Sequence, residues 1–100
     1  MSGMPRKFAL AIRRFGRAVS IGSKDTFAVE VPVGGSSVAD LFSAEDWDAL
    51  PKPVRLVYLA SHVPVEVGQA YELGGVAATV RRVVDVRFRG QSIVRIAVVA

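Results

Sequence analysis

The residues that most often carry acid–base chemistry are few in this chain and are not spaced for it. His62 is the only histidine, and its neighbour Ser61 is no partner for it, since adjacent residues of a strand point to opposite faces. Glu45, Asp46 and Asp48 resemble a paired-carboxylate site, but acids in the first turn of a helix explain at least two of them more simply. We expect no catalytic residues, and a small enzyme or toxin is the weakest of three functional classes.

Metal and cofactor sites are also not predicted. The chain has no cysteine, which excludes disulfides and thiolate metal sites. The single imidazole and the carboxylates show no ligand spacing, so we expect no metal. Gly34, Gly35, Ser36 and Ser37 are a very weak nucleotide-binding signal, because no strand-and-helix context surrounds them. They predict a surface loop, about residues 33–42, and the sequence predicts no cofactor.

Charge is segregated along the chain, which has a net charge of +4. Every charged residue from 25 to 48 is acidic, whereas both ends are rich in arginine. A basic face beside an acidic face suits nucleic acid, and it suits equally a self-assembling ring in which unlike faces of neighbours meet. Solvated, scattered charge is the ordinary alternative. The residues predicted to contact neighbouring subunits or partners are Arg13, Arg14, Arg17, Asp46, Trp47 and Asp48.

Length and hydropathy limit the number of domains and the classes of protein that the chain can belong to. One hundred residues predict one domain, residues 1–100. No apolar run approaches the ~20 residues of a membrane span, and Arg13, Arg14 and Arg17 interrupt the N-terminal region where a signal peptide would need an apolar core. We therefore expect a soluble, cytoplasmic protein that does not engage a membrane.

Residues 63–100 predict a β-meander around which the chain is organised. Residues 69–73 form a short strand, and Gly74-Gly75 supplies the positive φ angles of a two-residue hairpin loop. Alternating apolar residues follow from Val76, and a bulge at Arg81-Arg82 returns Val83 to the core. A turn at Gly90 leads into a last strand, residues 91–99, with one face formed by Val94, Ile96 and Val98.

Three further strands precede this meander. Residues 17–21 alternate with Val19 and Ile21 on one side, and residues 54–60 predict an apolar, central strand. Residues 26–33 alternate most clearly, and this pattern predicts that Phe27, Val29, Val31 and Val33 point inward while Thr26, Ala28, Glu30 and Pro32 point outward.

Two helices are predicted beside the strands. Residues 6–15 have apolar positions Phe8, Ala11, Ile12 and Phe15 at helical spacing, and this amphipathic helix either covers its own barrel or docks on a partner or membrane surface. Residues 43–50 begin with Ser43 as N-cap. Trp47 in this short turn is either an interface anchor or the residue that seals the turn to the barrel. The predicted class is therefore mainly β: a small barrel of about six short strands with an N-terminal helix and one helical turn.

Four segments resemble one family. They are FALAIRRFGRAVSI, TFAVEVPV, RLVYLASHVP and VEVGQAYELGGVAATVRRV, and the last has a turn glycine (Gly68), a short strand, a hairpin glycine (Gly74 or Gly75) and a strand of V-x-R-V form. This order resembles the head–tail connectors of tailed phages: the stopper, or head-completion, proteins of the lambda head–tail attachment type. Related small barrels serve at several levels of the particle, so a tail terminator or other small tail protein is also compatible.

The resemblance implies a structural virion protein without catalysis, assembled in the bacterial cytoplasm. Its implied partners are copies of itself in a hexameric or dodecameric ring, the portal or adaptor above, the tail terminator below, and packaged DNA held in the channel without sequence specificity. Gly34, Gly35, Ser36 and Ser37 are the candidates for a channel or gating loop.

The main rival is a small basic barrel of the SH3-like or OB-like kind that binds nucleic acid. Arginine outnumbers lysine ten to three, and Arg81, Arg82, Arg87 and Arg89 are spaced to follow a phosphate backbone. Against this alternative, the aromatic residues are scattered and predict no platform for stacking bases.

Overall fold

Six antiparallel strands close into a barrel with one helix packed outside it, in a computed structural model that describes residues 3–32 and 43–100. The elements are α1 (Gly3–Phe15), β1 (Arg17–Ile21), β2 (Lys24–Pro32), α2 (Ala44–Ala49), β3 (Arg55–Ala60), β4 (Ala70–Leu73), β5 (Val76–Phe88) and β6 (Gln91–Val99). The strands close in the order β1-β2-β3-β6-β5-β4. The predicted mainly-β class, with its barrel, N-terminal helix and one short helix, is confirmed.

The long strand β5 closes the barrel by pairing with two neighbours in turn. Its first residues pair with β4 up to Thr79, and the rest pair with β6 from Val80 onward. The register shifts between Val80 and Arg82, so the predicted bulge is confirmed, and Val83 packs against the barrel core. Gly74 and Gly75 have φ angles of 58° and 85°, as the predicted two-residue hairpin requires.

The barrel interior is filled by aliphatic side chains around Tyr71. Val57, Leu59, Val80 and Ala97 are completely buried there, and each large aliphatic side chain buried in this way contributes roughly 1.5–3 kcal/mol to stability. Val19 and Ile21 both face this core, as their alternation predicts.

The helix α1 covers part of the outer surface of its own barrel. Ile12 is buried against Ile93 and Val94, with Tyr58 and Val86 beside them. Of the two predicted positions for this helix, the one on its own barrel is therefore observed.

The predicted inward face of β2 is wrong. Ala28 is buried in the barrel core and Glu30 reaches the core residue Tyr71, whereas Phe27 and Val31 are exposed. Val29 packs in the outer cluster with α1. The outer face of β2 is apolar because a helix lies near it, so alternation identifies two faces without telling which one is inside. Val33, also predicted inward, lies outside the described residues.

The short helix α2 begins as predicted. The hydroxyl of Ser43 accepts a hydrogen bond from the Asp46 backbone N–H at 3.1 Å. At the other end, Lys52 Nζ donates to the backbone carbonyls of Trp47 (2.7 Å) and Leu50 (2.9 Å). A cation at this terminus satisfies carbonyls that have no partner within the helix.

Candidate interaction surfaces

The apolar stripe of α1 is only half covered by the barrel. The spacing of Phe8, Ala11, Ile12 and Phe15 places them on one helix face, yet Ile12 is the buried member. Phe8 is 39% exposed and Phe15 is 74% exposed. Phe15 is the last residue of the helix, where the chain turns into β1, and the barrel leaves most of its ring uncovered.

A groove runs between α1 and the outer face of the sheet. Its exposed walls include Phe8, Phe15 and Val31, which is itself 39% exposed. We call this surface the α1 groove; its lining residues are Phe8, Ala11, Ile12, Phe15, Val29, Val31, Tyr58 and Val94. A contiguous, exposed apolar surface of this kind is typical of a site for another protein.

The three arginines predicted as contact residues lie around α1. The guanidinium of Arg14 lies 5.3 Å from the centre of the Phe15 ring, at the border of the α1 groove. Arg13 lies on the other side of the helix, 5.6 Å from the centre of the Phe27 ring. Arg17 is exposed at the start of β1. The helix contains no acidic residue, so every charge on its solvent face is basic.

The acidic candidates lie on α2, which carries the opposite charge. Asp46 and Asp48 are exposed, and α2 contains no basic residue. Trp47 is half-buried, and Lys52 Nζ lies 4.5 Å from the centre of its ring. The loop candidates Gly34, Gly35, Ser36 and Ser37 lie outside the described residues.

A polar network that the sequence did not predict lies within the barrel. The Tyr71 hydroxyl donates to Glu30 Oε2 at 2.7 Å, and Arg55 Nη1 contacts Glu30 Oε1 at 3.3 Å. Tyr71 is almost fully buried, and Arg55 Nε is buried without a hydrogen-bond partner among residues 3–32 and 43–100. The available signal was that a glutamate and an arginine each interrupt an apolar strand, and the pairing of β2 with β3 brings them together as neighbours.

The network predicts that the protein becomes less stable at alkaline pH. Burial, and then the hydrogen bond to the negatively charged Glu30, raises the pKa of Tyr71 well above its usual value of about 10. Because the pKa of Tyr71 is higher in the folded state than in the unfolded state, its protonated hydroxyl contributes to the free energy of unfolding. This contribution is complete below pH ~10 and is lost as the pH rises through the folded-state pKa. We expect the free energy of unfolding to fall above pH 10, and Tyr71→Phe to show a smaller fall. Urea denaturation of both proteins at pH 9 and pH 11 measures this; equal falls would contradict the assignment.

A second polar cluster stands at the base of the β5–β6 hairpin. Asp85 accepts a hydrogen bond from the Ser92 hydroxyl and contacts Arg87 Nη1 at 3.0 Å. The Ser92 hydroxyl is the main reason that the pKa of Asp85 is lowered, and Arg87 and Arg95 add to the effect. Beyond this cluster, Phe88 is 47% exposed and the chain turns at Arg89 and Gly90, both with positive φ.

Within residues 3–32 and 43–100, no group of three or more histidine, aspartate or glutamate side chains is placed to hold a metal ion. Neither α1 nor α2, the helices of the described residues, has the length and apolar character that crossing a bilayer would take.

No protein-family model, no curated protein and no solved structure matches this chain. A functional proposal therefore depends on the α1 groove, the two oppositely charged helices and the hairpin, together with the sequence resemblance described above.

Proposed function

We propose that this protein is a structural subunit that assembles with copies of itself, and that it serves as a head–tail connector of the stopper or head-completion kind. The observation that carries the first part is the α1 groove, because Phe8, Phe15 and Val31 leave apolar surface uncovered in a single chain. Burial against a neighbour removes this surface from water. The second part rests on the four sequence segments that resemble the connector family.

The charges of the two helices indicate which surfaces of neighbouring subunits meet. A basic α1 on one subunit and an acidic α2 on the next are complementary. Such a contact joins two different surfaces, and its repetition gives a ring where the rotation between neighbours closes and an open filament where it does not; the connector role requires the ring. Trp47 is half-buried in its own chain, and its remaining ring surface is suited to the aromatic walls of the α1 groove.

In the particle, this ring would lie between the portal or adaptor and the tail terminator, with packaged DNA along its axis. Residues 33–42 are the proposed channel loop. The location is a phage or phage-like virion.

Reversal of the acidic charges on α2 tests the subunit contact. Asp46→Lys combined with Asp48→Lys is expected to weaken assembly at least ~10-fold, since like charges then face each other. Sedimentation velocity over a range of concentrations, at low and physiological salt, measures the assembly. The matched control is Asp25→Lys with Glu72→Lys, which reverses two exposed acids of the barrel. Assembly of the α2 variant at the wild-type level would contradict the proposed contact.

The particle role is tested directly in the source organism. Quantitative peptide mass spectrometry of purified particles is expected to find the chain at a small ring copy number. Deletion of the gene is expected to give DNA-filled or leaking heads without tails by electron microscopy. Absence of the chain from every particle would overturn the connector role while leaving self-assembly to be judged by sedimentation.

A nucleic-acid-binding barrel is the second candidate, and the β5–β6 hairpin favours it. Arg87 and Arg89 are exposed on either side of Phe88, and the Arg89 guanidinium lies 5.2 Å from the centre of the Phe88 ring. Arginines track phosphates, and exposed aromatic rings stack on bases. A DNA titration separates the candidates: tight binding that falls steeply with salt supports the nucleic-acid role, and weak binding at physiological salt supports the connector.

A further inference from the structure

The second half of β5 has an open edge. β4 pairs with β5 only as far as Thr79, and two more backbone hydrogen bonds join Val80 to Gly68 and Gln69. From Val83 to Phe88, the strand partners of β5 within the described residues all belong to β6. The other side of this stretch therefore offers backbone groups to a further strand.

The ladder shows which backbone groups face that edge. Thr79 and Ala100 exchange both of their backbone hydrogen bonds, at 3.0 and 3.1 Å. Hydrogen-bonded pairs alternate along an antiparallel ladder, and a bulge shifts the count by one residue. Continued past the shift at Arg81, the alternation directs the backbone hydrogen bonds of Val84 and Val86 toward β6. The second shift, between Val86 and Arg87, leaves Ile93 of β6 as the extra residue, so the alternation along β5 continues unchanged to Arg87. The residues that direct N–H and C=O toward the open edge are Val83, Asp85 and Arg87.

We infer that this edge pairs with the same edge of a second copy of the chain, antiparallel and centred on Val86, to form a two-fold dimer. In that register Asp85 lies opposite Arg87 of the second copy, and Arg87 opposite its Asp85. Both residues direct their backbone groups to the edge, so each pair exchanges two backbone hydrogen bonds. The two barrels then share one continuous sheet.

Side chains select this register. Residues 84–88, VDVRF, are symmetric about Val86: charges of opposite sign flank it and apolar residues stand at both ends. Val84 therefore faces Phe88 of the second copy, and Asp85 faces Arg87. Moving the centre by one residue places Asp85 opposite Asp85, or Arg87 opposite Arg87, and like charges directly opposite one another are destabilising.

The exposed part of the hairpin is available for this contact. Arg87 has 57% of its side chain exposed, and its ion pair is with Asp85 of its own strand, which dimerisation replaces with pairs between the copies. The contact joins identical surfaces and so closes at two subunits. It is independent of the proposed ring, whose contact joins α1 to α2.

A single cysteine at the two-fold centre tests the register. The chain has no cysteine of its own. In Val86→Cys the two thiols form a directly opposed, non-hydrogen-bonded pair with Cα atoms about 4.5 Å apart, within the range for a disulfide. In the matched control Val84→Cys, the thiols are offset by four residues, about 14 Å. Mild oxidation is expected to give covalent dimer at least ~10-fold faster in Val86→Cys, as measured on non-reducing gels.

The backbone contribution is tested in the Val86→Cys background. Arg87→Pro removes an N–H that faces the edge and leaves the hydrogen bonds to β6 in place, while Arg87→Ala removes only the side chain. Cross-linking is expected to be at least ~10-fold slower with proline than with alanine, with circular dichroism confirming that both variants are folded. Equal rates for these two variants, equal rates for the two cysteine positions, or no covalent dimer at ~1 mM protein would overturn the inference.

Discussion

Glu30→Ala is expected to lower the free energy of unfolding by about 2 kcal/mol, less than the ~3–5 kcal/mol seen when one partner of a fully buried ion pair is removed, because this pair is only part-buried. The substitution takes away the acceptor of the Tyr71 hydroxyl, 2.7 Å away, and the carboxylate that contacts Arg55. The Arg55 and Glu30 side chains are only 13% and 19% exposed, so water replaces these contacts incompletely. Within the part of the chain that the structure describes, Arg55 Nε already lacks a hydrogen-bond partner, so loss of Glu30 leaves a second nitrogen of the guanidinium without its contact.

Urea denaturation at pH 7, followed by circular dichroism, measures this loss. Glu30→Gln keeps an oxygen that accepts from Tyr71 but lacks the charge that Arg55 requires, so about half of the loss is expected. Glu72→Ala, which removes an exposed acid on β4, is the control and is expected to stay within about 0.5 kcal/mol of the wild type. A loss below ~1 kcal/mol for Glu30→Ala would show that the network is not stabilising.

The network also has a consequence for the α1 groove. Glu30 lies on β2 between Val29 and Val31, whose side chains form a wall of that groove. Holding Glu30 against Tyr71 on β4 and Arg55 on β3 fixes this part of β2 from inside the barrel. We therefore expect Glu30→Ala to weaken assembly as well as stability.

Gly16→Ala is expected to lower the free energy of unfolding by about 2–3 kcal/mol, at the upper end of the ~1–3 kcal/mol typical of overpacking. A Cβ at this position would lie 2.4 Å from the Ile12 carbonyl oxygen and 2.5 Å from the Ala28 carbonyl oxygen. Both are backbone atoms, so neither contact is relieved by a side-chain rotation. Gly16 also donates its N–H to the Ile12 carbonyl at 2.7 Å, which closes the last turn of α1 directly beside the Ala28 backbone.

The loss of stability in Gly16→Ala is expected to be concentrated in α1. Since the clash separates α1 from β2, hydrogen exchange of the α1 amides is expected to accelerate more than that of the β3 and β6 amides. Ile12→Ala provides the comparison, because it removes the buried side chain of α1 without introducing a clash. Exchange that accelerates equally throughout the barrel in Gly16→Ala, or stability equal to the wild type, would be inconsistent with a role of Gly16 in seating the helix.

Local structure was largely predictable from the sequence. The hairpin at Gly74-Gly75, the bulge at Arg81 and the N-cap at Ser43 were all predicted and are all observed. Each depends on residues within a few positions of one another: glycine permits positive φ, a break in alternation marks an extra residue, and a hydroxyl satisfies a free N–H of the first turn. Interactions of such short range are present in the sequence itself.

Long-range relations required the tertiary structure. The orientation of β2 depends on α1 lying near its outer face, and the contacts of Glu30 with Tyr71 and Arg55 join residues that are 41 and 25 positions apart along the chain. Periodicity describes one strand at a time, so it carries no information about which apolar face meets which neighbour.

The candidate interaction surfaces also combine features that are readable in the sequence with features that depend on the fold. The opposite charges of residues 6–17 and 45–48, the amphipathic N-terminal helix and the meander in the second half of the chain can all be recognised in the sequence. The folded chain was needed to show that Phe8, Phe15 and Val31 share one groove, and that β4 is too short to cover the edge of β5 at Asp85 and Arg87. Exposure depends on what packs beside a residue, and in a closed barrel most of those neighbours are distant in sequence.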